Sequence, residues 1–122
     1  MICAKAGANV ILIGRNIEKV GKVAGICNDR YKSNNVKPGA DADKAEYFKI
    51  ADVVLNTGAA GIQLMTEDHI KNSEKLKICA DTNAVPPAGI AGVDMMDNAK
   101  LIEASPSKCL GIGALAIGNI KY

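Results

Sequence analysis

Aromatic residues are scarce in this chain: no tryptophan, one phenylalanine and three tyrosines among 122 residues. A surface that grips single-stranded nucleic acid needs rings on which bases stack, so this composition argues against that function. Histidine is rarer still, at one residue, and Cys3, Cys27, Cys79 and Cys109 stand far apart with no C-x-x-C pair. Such spacing speaks against a zinc site and suits reduced thiols filling small apolar gaps in a cytoplasmic protein. The formal net charge of +2 is too small to call for a polyanion. No apolar run reaches the roughly 18 to 20 residues that a membrane span requires. The opening MICAKAGANVILIG also lacks the charged start, long apolar core and cleavage site of a secretory signal. No nucleic acid, membrane or metal partner is therefore expected.

What the chain does have is small and aliphatic: 48% hydrophobic residues and 12 glycines, a composition that suits helices packed on a parallel sheet. Its length argues for one domain, short for an enzyme with separate cofactor and substrate lobes. Ile2 to Ala6 reads as the end of a helix closed by Gly7. Asn9 to Ile13, NVILI, has the unbroken apolar run of a strand covered on both faces. From Ile17 to Tyr31 the apolar residues Ile17, Val20, Val23, Ala24 and Cys27 recur at helical spacing, with Asn16 as N-cap. A short edge strand is expected around Val36 and one or two helical turns over Asp43 to Ile50. A second buried strand, Asp52 to Asn56, runs into Thr57-Gly58-Ala59-Ala60-Gly61, and a helix is expected from there. Thr66 should cap a further turn through Lys71. Lys77 to Ala80 and Cys109 to Ile112 read as strands, and Val93 to Ile102 as helix towards its end. Strands alternating with helices predict a parallel sheet with right-handed crossovers, the dinucleotide-binding kind.

The stretch around which these elements are arranged is KICADTNAVPPAGIAGVD, Lys77 to Asp94. A buried strand empties at Asp81 into a loop holding Thr82, Asn83, Pro86 and Pro87, where open α/β sheets bind ligands in the crevice at the carboxyl ends of their strands. Pro86 and Pro87 fix φ at two successive positions and stiffen the loop. Asp81 and Asn83 offer a carboxylate and an amide there. They can orient a ligand, or they can fold back on their own backbone as Asx turns. His69, among Glu67, Asp68 and Lys71, reads as a solvated surface residue rather than a base. Gly111-Ile-Gly113-Ala-Leu-Ala116 matches G-x-G-x-x-A but comes late and is a weak motif. No catalytic residue can be named from these patterns.

The run ADTNAVPPAGIAGVDMMD at Ala80 to Asp97, followed by GIGALAIGNIK at Gly111 to Lys121, resembles the NADP-dependent methylenetetrahydromethanopterin and methylenetetrahydrofolate dehydrogenases. GANVILIGR at Gly7 to Arg15 and ADVVLNTGAAGIQLM at Ala51 to Met65 are similar to the same family in the same order. The resemblance implies an α/β fold of Rossmann type that lacks here its first, central strand and the glycine-rich pyrophosphate loop. It implies a fragment, with residues 1 to 122 forming part of an NADP-binding domain and the amino-terminal pterin-binding domain absent. Losing the central strand, between NVILI and DVVLN, would cut the sheet in two, and the family continues with a helix past Tyr122.

The implied activity is NADP-dependent oxidation of methylenetetrahydromethanopterin or methylenetetrahydrofolate to the methenyl form, by a full-length homo-oligomer in one-carbon metabolism. The isolated chain is expected to bind NADP weakly and not to turn over substrate. The implied cofactor contacts are Gly14, Arg15 and Lys19 near the ribose 2′-phosphate, Thr57, Gly58 and Ala59 along the dinucleotide, and Asp81, Asn83 and Pro86 at the nicotinamide end. Arg15 stands where NAD enzymes place an acid, which favours NADP; Asn16 stands where the family often has a second basic residue. Two other readings stay open: another two-domain NADP dehydrogenase, similar to shikimate dehydrogenase, and a non-catalytic nucleotide-binding or interaction module.

Overall fold

The computed structural model describes residues 2–118. Its chain divides into two compact units, Met1–Tyr47 and Phe48–Tyr122, with the division falling inside one helix.

In the first unit, α1 (Ile2–Lys5) ends at Gly7, whose φ of +92° is the left-handed conformation a closing glycine supplies. β1 (Val10–Gly14) and β2 (Val36–Ala40) pair in parallel from Val10↔Val36 to Gly14↔Ala40. The crossover between them is α2 (Ile17–Tyr31). Its N-cap is Asn16, whose Oδ1 accepts from the amides of Glu18 and Lys19 at 3.1 and 3.2 Å. Asn28 then ties the helix to the strand: its Nδ2 donates to Val36 O at 2.9 Å while its Oδ1 accepts from Val36 N at 3.1 Å. Ala4, Ala24, Cys27 and Val36 form the core of this unit. Pro38 sits in β2 at the sheet's edge, where a missing N–H costs no ladder bond. A 3-10 turn, Asp41–Asp43, leads into α3 (Lys44–Ile50).

In the second unit, β3 (Val53–Asn56), β4 (Ile78–Asp81) and β6 (Leu110–Ile112) run parallel, and β5 (Asn98–Leu101) lies antiparallel against β6. Met65, Ile70, Leu76, Cys79, Ile90, Val93, Ile102 and Cys109 are buried together as its core. α4 (Glu67–Lys71) starts from a capping box: His69 N donates to Thr66 Oγ1, and Thr66 N donates to His69 Nδ1. α5 (Ala114–Gly118) follows β6, and the rest of GIGALAIGNIK lies outside the described residues. The fold is thus α/β, parallel strands with helices in the connections, a Rossmann-like arrangement. The two strands that flank the expected gap, β1 and β3, belong to different sheets.

Several expectations need correcting. NVILI and DVVLN are not covered on both faces: Ile11 and Ile13 are a little over a third exposed, Val53 and Leu55 half or more. On α2, Ile17 and Val23 lie outward at about half exposure, leaving Ala24 and Cys27 buried. Cys3 is exposed, whereas the other three cysteines do fill buried positions. No helix follows Gly61 directly. Gly61 takes a φ of +76°, and the amides of Leu64 and Met65 both donate to Gly89 O, so this stretch lies along the double-proline loop. Towards Ile102 the chain is strand rather than helix. Ala99 at φ +57° makes a bulge in β5, and the backbone before it is held in a turn, with Asp97 Oδ2 accepting from Asp94 N and Asp94 Oδ1 from Met96 N.

Candidate cofactor site

β3 and β4 deliver a matched pair of polar side chains. The register sets Asn56 opposite Asp81 at the carboxyl ends of the two strands, one residue beyond the apolar runs. Both are buried, and Asn56 Nδ2 donates to Asp81 Oδ1 at 2.8 Å. Asp81 Oδ1 also accepts from Asn83 N, and its Oδ2 from Ile90 N, each at 3.0 Å. Three donors on a carboxylate that is 1% exposed leave it anchored in the fold. Of the two roles open to Asp81, the structure has the Asx turn.

The same device repeats on either side. Asn56 Oδ1 accepts from Gly58 N at 3.0 Å, which turns the chain out of β3. Asn83 Oδ1 accepts from Val85 N at 2.9 Å and from Gly61 N at 3.3 Å, while its Nδ2 donates to Pro87 O at 2.9 Å. Thr82 donates through both its amide and its hydroxyl to Asn56 O at 3.1 Å. The Pro86–Pro87 peptide bond is cis. The turn holding Thr57, Gly58 and Ala59 is therefore tied at its two ends to the β4 side, through Asn56 to Asp81 and through Gly61 to Asn83. Thr57, Gly58, Ala59 and Pro86 are exposed at this rim, while Asp81 and Asn83 lie beneath it.

Gly14, Arg15 and Lys19 belong to the first unit. There Gly14 and Arg15 line, with Ile17, Ala40, Asp41 and Ala42, an open depression of about 340 Å³ at the carboxyl ends of β1 and β2. Gly14 is needed at this place because a Cβ would stand 2.6 Å from Val20 Cγ2 on α2. Arg15 is exposed and has no ion-pair partner among the described residues, so its guanidinium can take a phosphate. Asp41, the acidic residue of the depression, is paired with Lys44 at 3.3 Å, which offsets its repulsion of an anion. Lys19 is exposed on α2 and does not line the depression.

His69 is half-buried rather than solvated, its ring 5.2 Å from that of Phe48 and its Nδ1 engaged in the capping box. Gly111 of the late glycine motif lies inside β6. Gly113 is packed so closely on the backbone of Asp94 and Met95 that a Cβ would fall 2.0 Å from Asp94 O. Both of these glycines are structural.

Sequence reasoning passed over Asn56 and Gly89. The first carried a readable signal, a polar residue closing an apolar run just before Thr-Gly. Gly89 carried none, because its need for hydrogen in place of a side chain arises from Asn56, 33 positions earlier.

No protein-family model matches the chain. Along its entire length it is 38% identical to a protein of Methylorubrum extorquens named NAD(P)-dependent methylenetetrahydromethanopterin dehydrogenase, covering 41% of that protein. Over 94% of its length it is 37% identical to a second protein of the same organism, the bifunctional protein MdtA, covering 39% of it. The chain thus spans about two-fifths of the length of the curated relatives it matches. The similarity to the protein named as an NAD(P)-dependent dehydrogenase runs from end to end of the chain.

Proposed function

We propose, from a similarity that runs the whole length of the chain, that these residues form part of the NADP-binding domain of a methylenetetrahydromethanopterin dehydrogenase, the pterin-binding domain lying elsewhere in the polypeptide. The observation that carries the reading is this end-to-end similarity to a dehydrogenase of that name; the position of the candidate residues at the carboxyl ends of parallel strands supports it. The readings as a shikimate-dehydrogenase-like enzyme or a non-catalytic module gain no support of their own.

The residues fit the cofactor in kind. Arg15, beside Gly14, would hold the ribose 2′-phosphate with its planar fork, and Lys19 would add positive potential one helical turn on. Thr57, Gly58 and Ala59 would let backbone approach the dinucleotide closely. The loop from Asn83 through Pro86, pinned by Asp81, would border the nicotinamide end. NADP, when bound, supplies a hydride acceptor. The methylene carbon lies between two pterin nitrogens, which stabilise the cation left when hydride departs. No side-chain nucleophile is required, and the chain's task is alignment. Full-length dehydrogenase of this kind is proposed to act in one-carbon metabolism on methylenetetrahydromethanopterin or methylenetetrahydrofolate, as a homo-oligomer in the cytoplasm.

The test is to assay the full-length gene product with each pterin against NADP and NAD, following NAD(P)H formation. NADP-dependent oxidation of at least one pterin is expected. No turnover with either pterin under both cofactors would overturn the reading.

A further inference from the structure

We propose that Asn56 is a positioning residue that binds the glycine turn after β3 and the double-proline loop after β4 into one pre-ordered rim. Its value for NADP binding rests on the reading just given. Three observations carry it. The Asn56 side chain bonds both sides from the β3 end, as Asn83 does from the β4 end: its Oδ1 holds Gly58 N, and its Nδ2 holds the Asp81 carboxylate, which in turn holds Asn83 N and Ile90 N. Its own carbonyl receives the Thr82 amide and hydroxyl. Finally, Gly89 is packed against its side chain, with room for hydrogen alone, since a Cβ would meet Asn56 Nδ2 at 1.9 Å.

The chemistry requires an amide. An acceptor must face Gly58 N and a donor must face a buried carboxylate, and at neutral pH asparagine supplies both from one planar group. A carboxylate at this position keeps the acceptor but sets a second negative charge against Asp81. Two carboxylates in hydrogen-bond contact repel, so the pair retains one proton above the ordinary carboxylate range. Its protonated form restores the donor. The rim of Asn56→Asp should therefore be closed at low pH and open as pH rises through that raised value.

The experiment compares wild type, Asn56→Ala and Asn56→Asp in the full-length gene product by amide hydrogen exchange and NADPH fluorescence titration. In Asn56→Ala, faster exchange is expected over both residues 57–61 and residues 82–90, with β6 and α4 unchanged. NADPH affinity should fall about tenfold, the size of one lost hydrogen bond to a buried charge. In Asn56→Asp, protection of both loops and NADPH affinity should recover together as pH is lowered. Exchange that speeds up in one loop only, or a loss in Asn56→Asp that is the same at every pH, overturns the coupling. Absence of NADPH binding by wild type overturns the functional reading instead, and the exchange pattern still decides the role of Asn56.

Discussion

Gly89 lies against the side-chain amide of Asn56 with no room for a methyl group. A Cβ at Gly89 would be 1.9 Å from Asn56 Nδ2 and 2.9 Å from Asp81 Oδ1. A residue late in the double-proline loop is thereby keyed to the polar pair that joins β3 and β4, and the loop's path depends on the absence of one carbon.

Gly89→Ala should therefore destabilise the second unit by about 2–4 kcal/mol, because Asn56 must leave the Asp81 carboxylate for the methyl group to enter. Gly21→Ala is the contrast. Gly21 lies within α2, nothing stands within 4 Å of its Cβ position, and alanine there should add about 0.5–1 kcal/mol. Urea denaturation of the two variants measures both signs, and equal effects would show that the crowding at Gly89 is not real.

How far the fold was legible follows from the range of each signal. The alternation of strand and helix was readable because it is local: NVILI, the α2 periodicity with Asn16, and the Thr66 cap each lie within a few residues of their consequence. The exposed faces of Ile11, Ile13, Val53 and Leu55 were not, since an apolar run does not say which of its sides is covered. β5 was missed because its partner is β6, and the turn that aims it is made by Asp94 and Asp97. At the site, Asp81 and Asn83 were found from their place after a strand. Their occupancy by Asn56, Ile90 and Gly61 depends on parallel register, which no local pattern states.

Arg15 should set cofactor preference. With no acidic partner among the described residues, its charge is available to a 2′-phosphate, and removing it leaves only Lys19 nearby in sequence. Arg15→Gln in the full-length gene product is expected to weaken NADPH binding about tenfold or more while changing NADH binding less than about twofold. Fluorescence titration with the two nucleotides reads the ratio. An equal loss for both would assign Arg15 to a part of the dinucleotide that they share.

Asn28 bonds both the amide and the carbonyl of Val36, a buried residue of β2, and so stands in for a neighbouring strand. Asn28→Ala leaves one buried donor and one acceptor unmet and should cost about 2–3 kcal/mol. Asn28→Asp keeps the acceptor for Val36 N and loses only the donor, so it should fall between alanine and wild type at neutral pH. Thermal unfolding of the three proteins gives the order; an aspartate variant worse than alanine would place repulsion at the carbonyl above the retained bond.

Cys79 and Cys109 lie side by side in the core of the second unit, Sγ to Sγ 3.5 Å, as free thiols. Burial, with smaller contributions from Cys109 and Asp81, pushes the Cys79 thiol well above its ordinary range, and burial also raises Cys109, against an opposing contribution from its hydrogen bonds with Cys79. The folded thiols thus keep their protons to higher pH than the unfolded ones, whose pKa is about 9. Stability is fully present below that value and declines as pH rises beyond it, by up to about 1.4 kcal/mol per pH unit for each thiol that ionises only on unfolding. The exposed Cys3 has no such protection. At pH 8, a value about one unit below that unfolded pKa, a maleimide or disulfide reagent should label Cys3 promptly and Cys27, Cys79 and Cys109 only when denaturant is added. Cys79→Ala should flatten the alkaline loss of stability relative to wild type. Four thiols reacting at one rate in the native protein, or a Cys79→Ala curve parallel to wild type above pH 9, would contradict the burial of this pair.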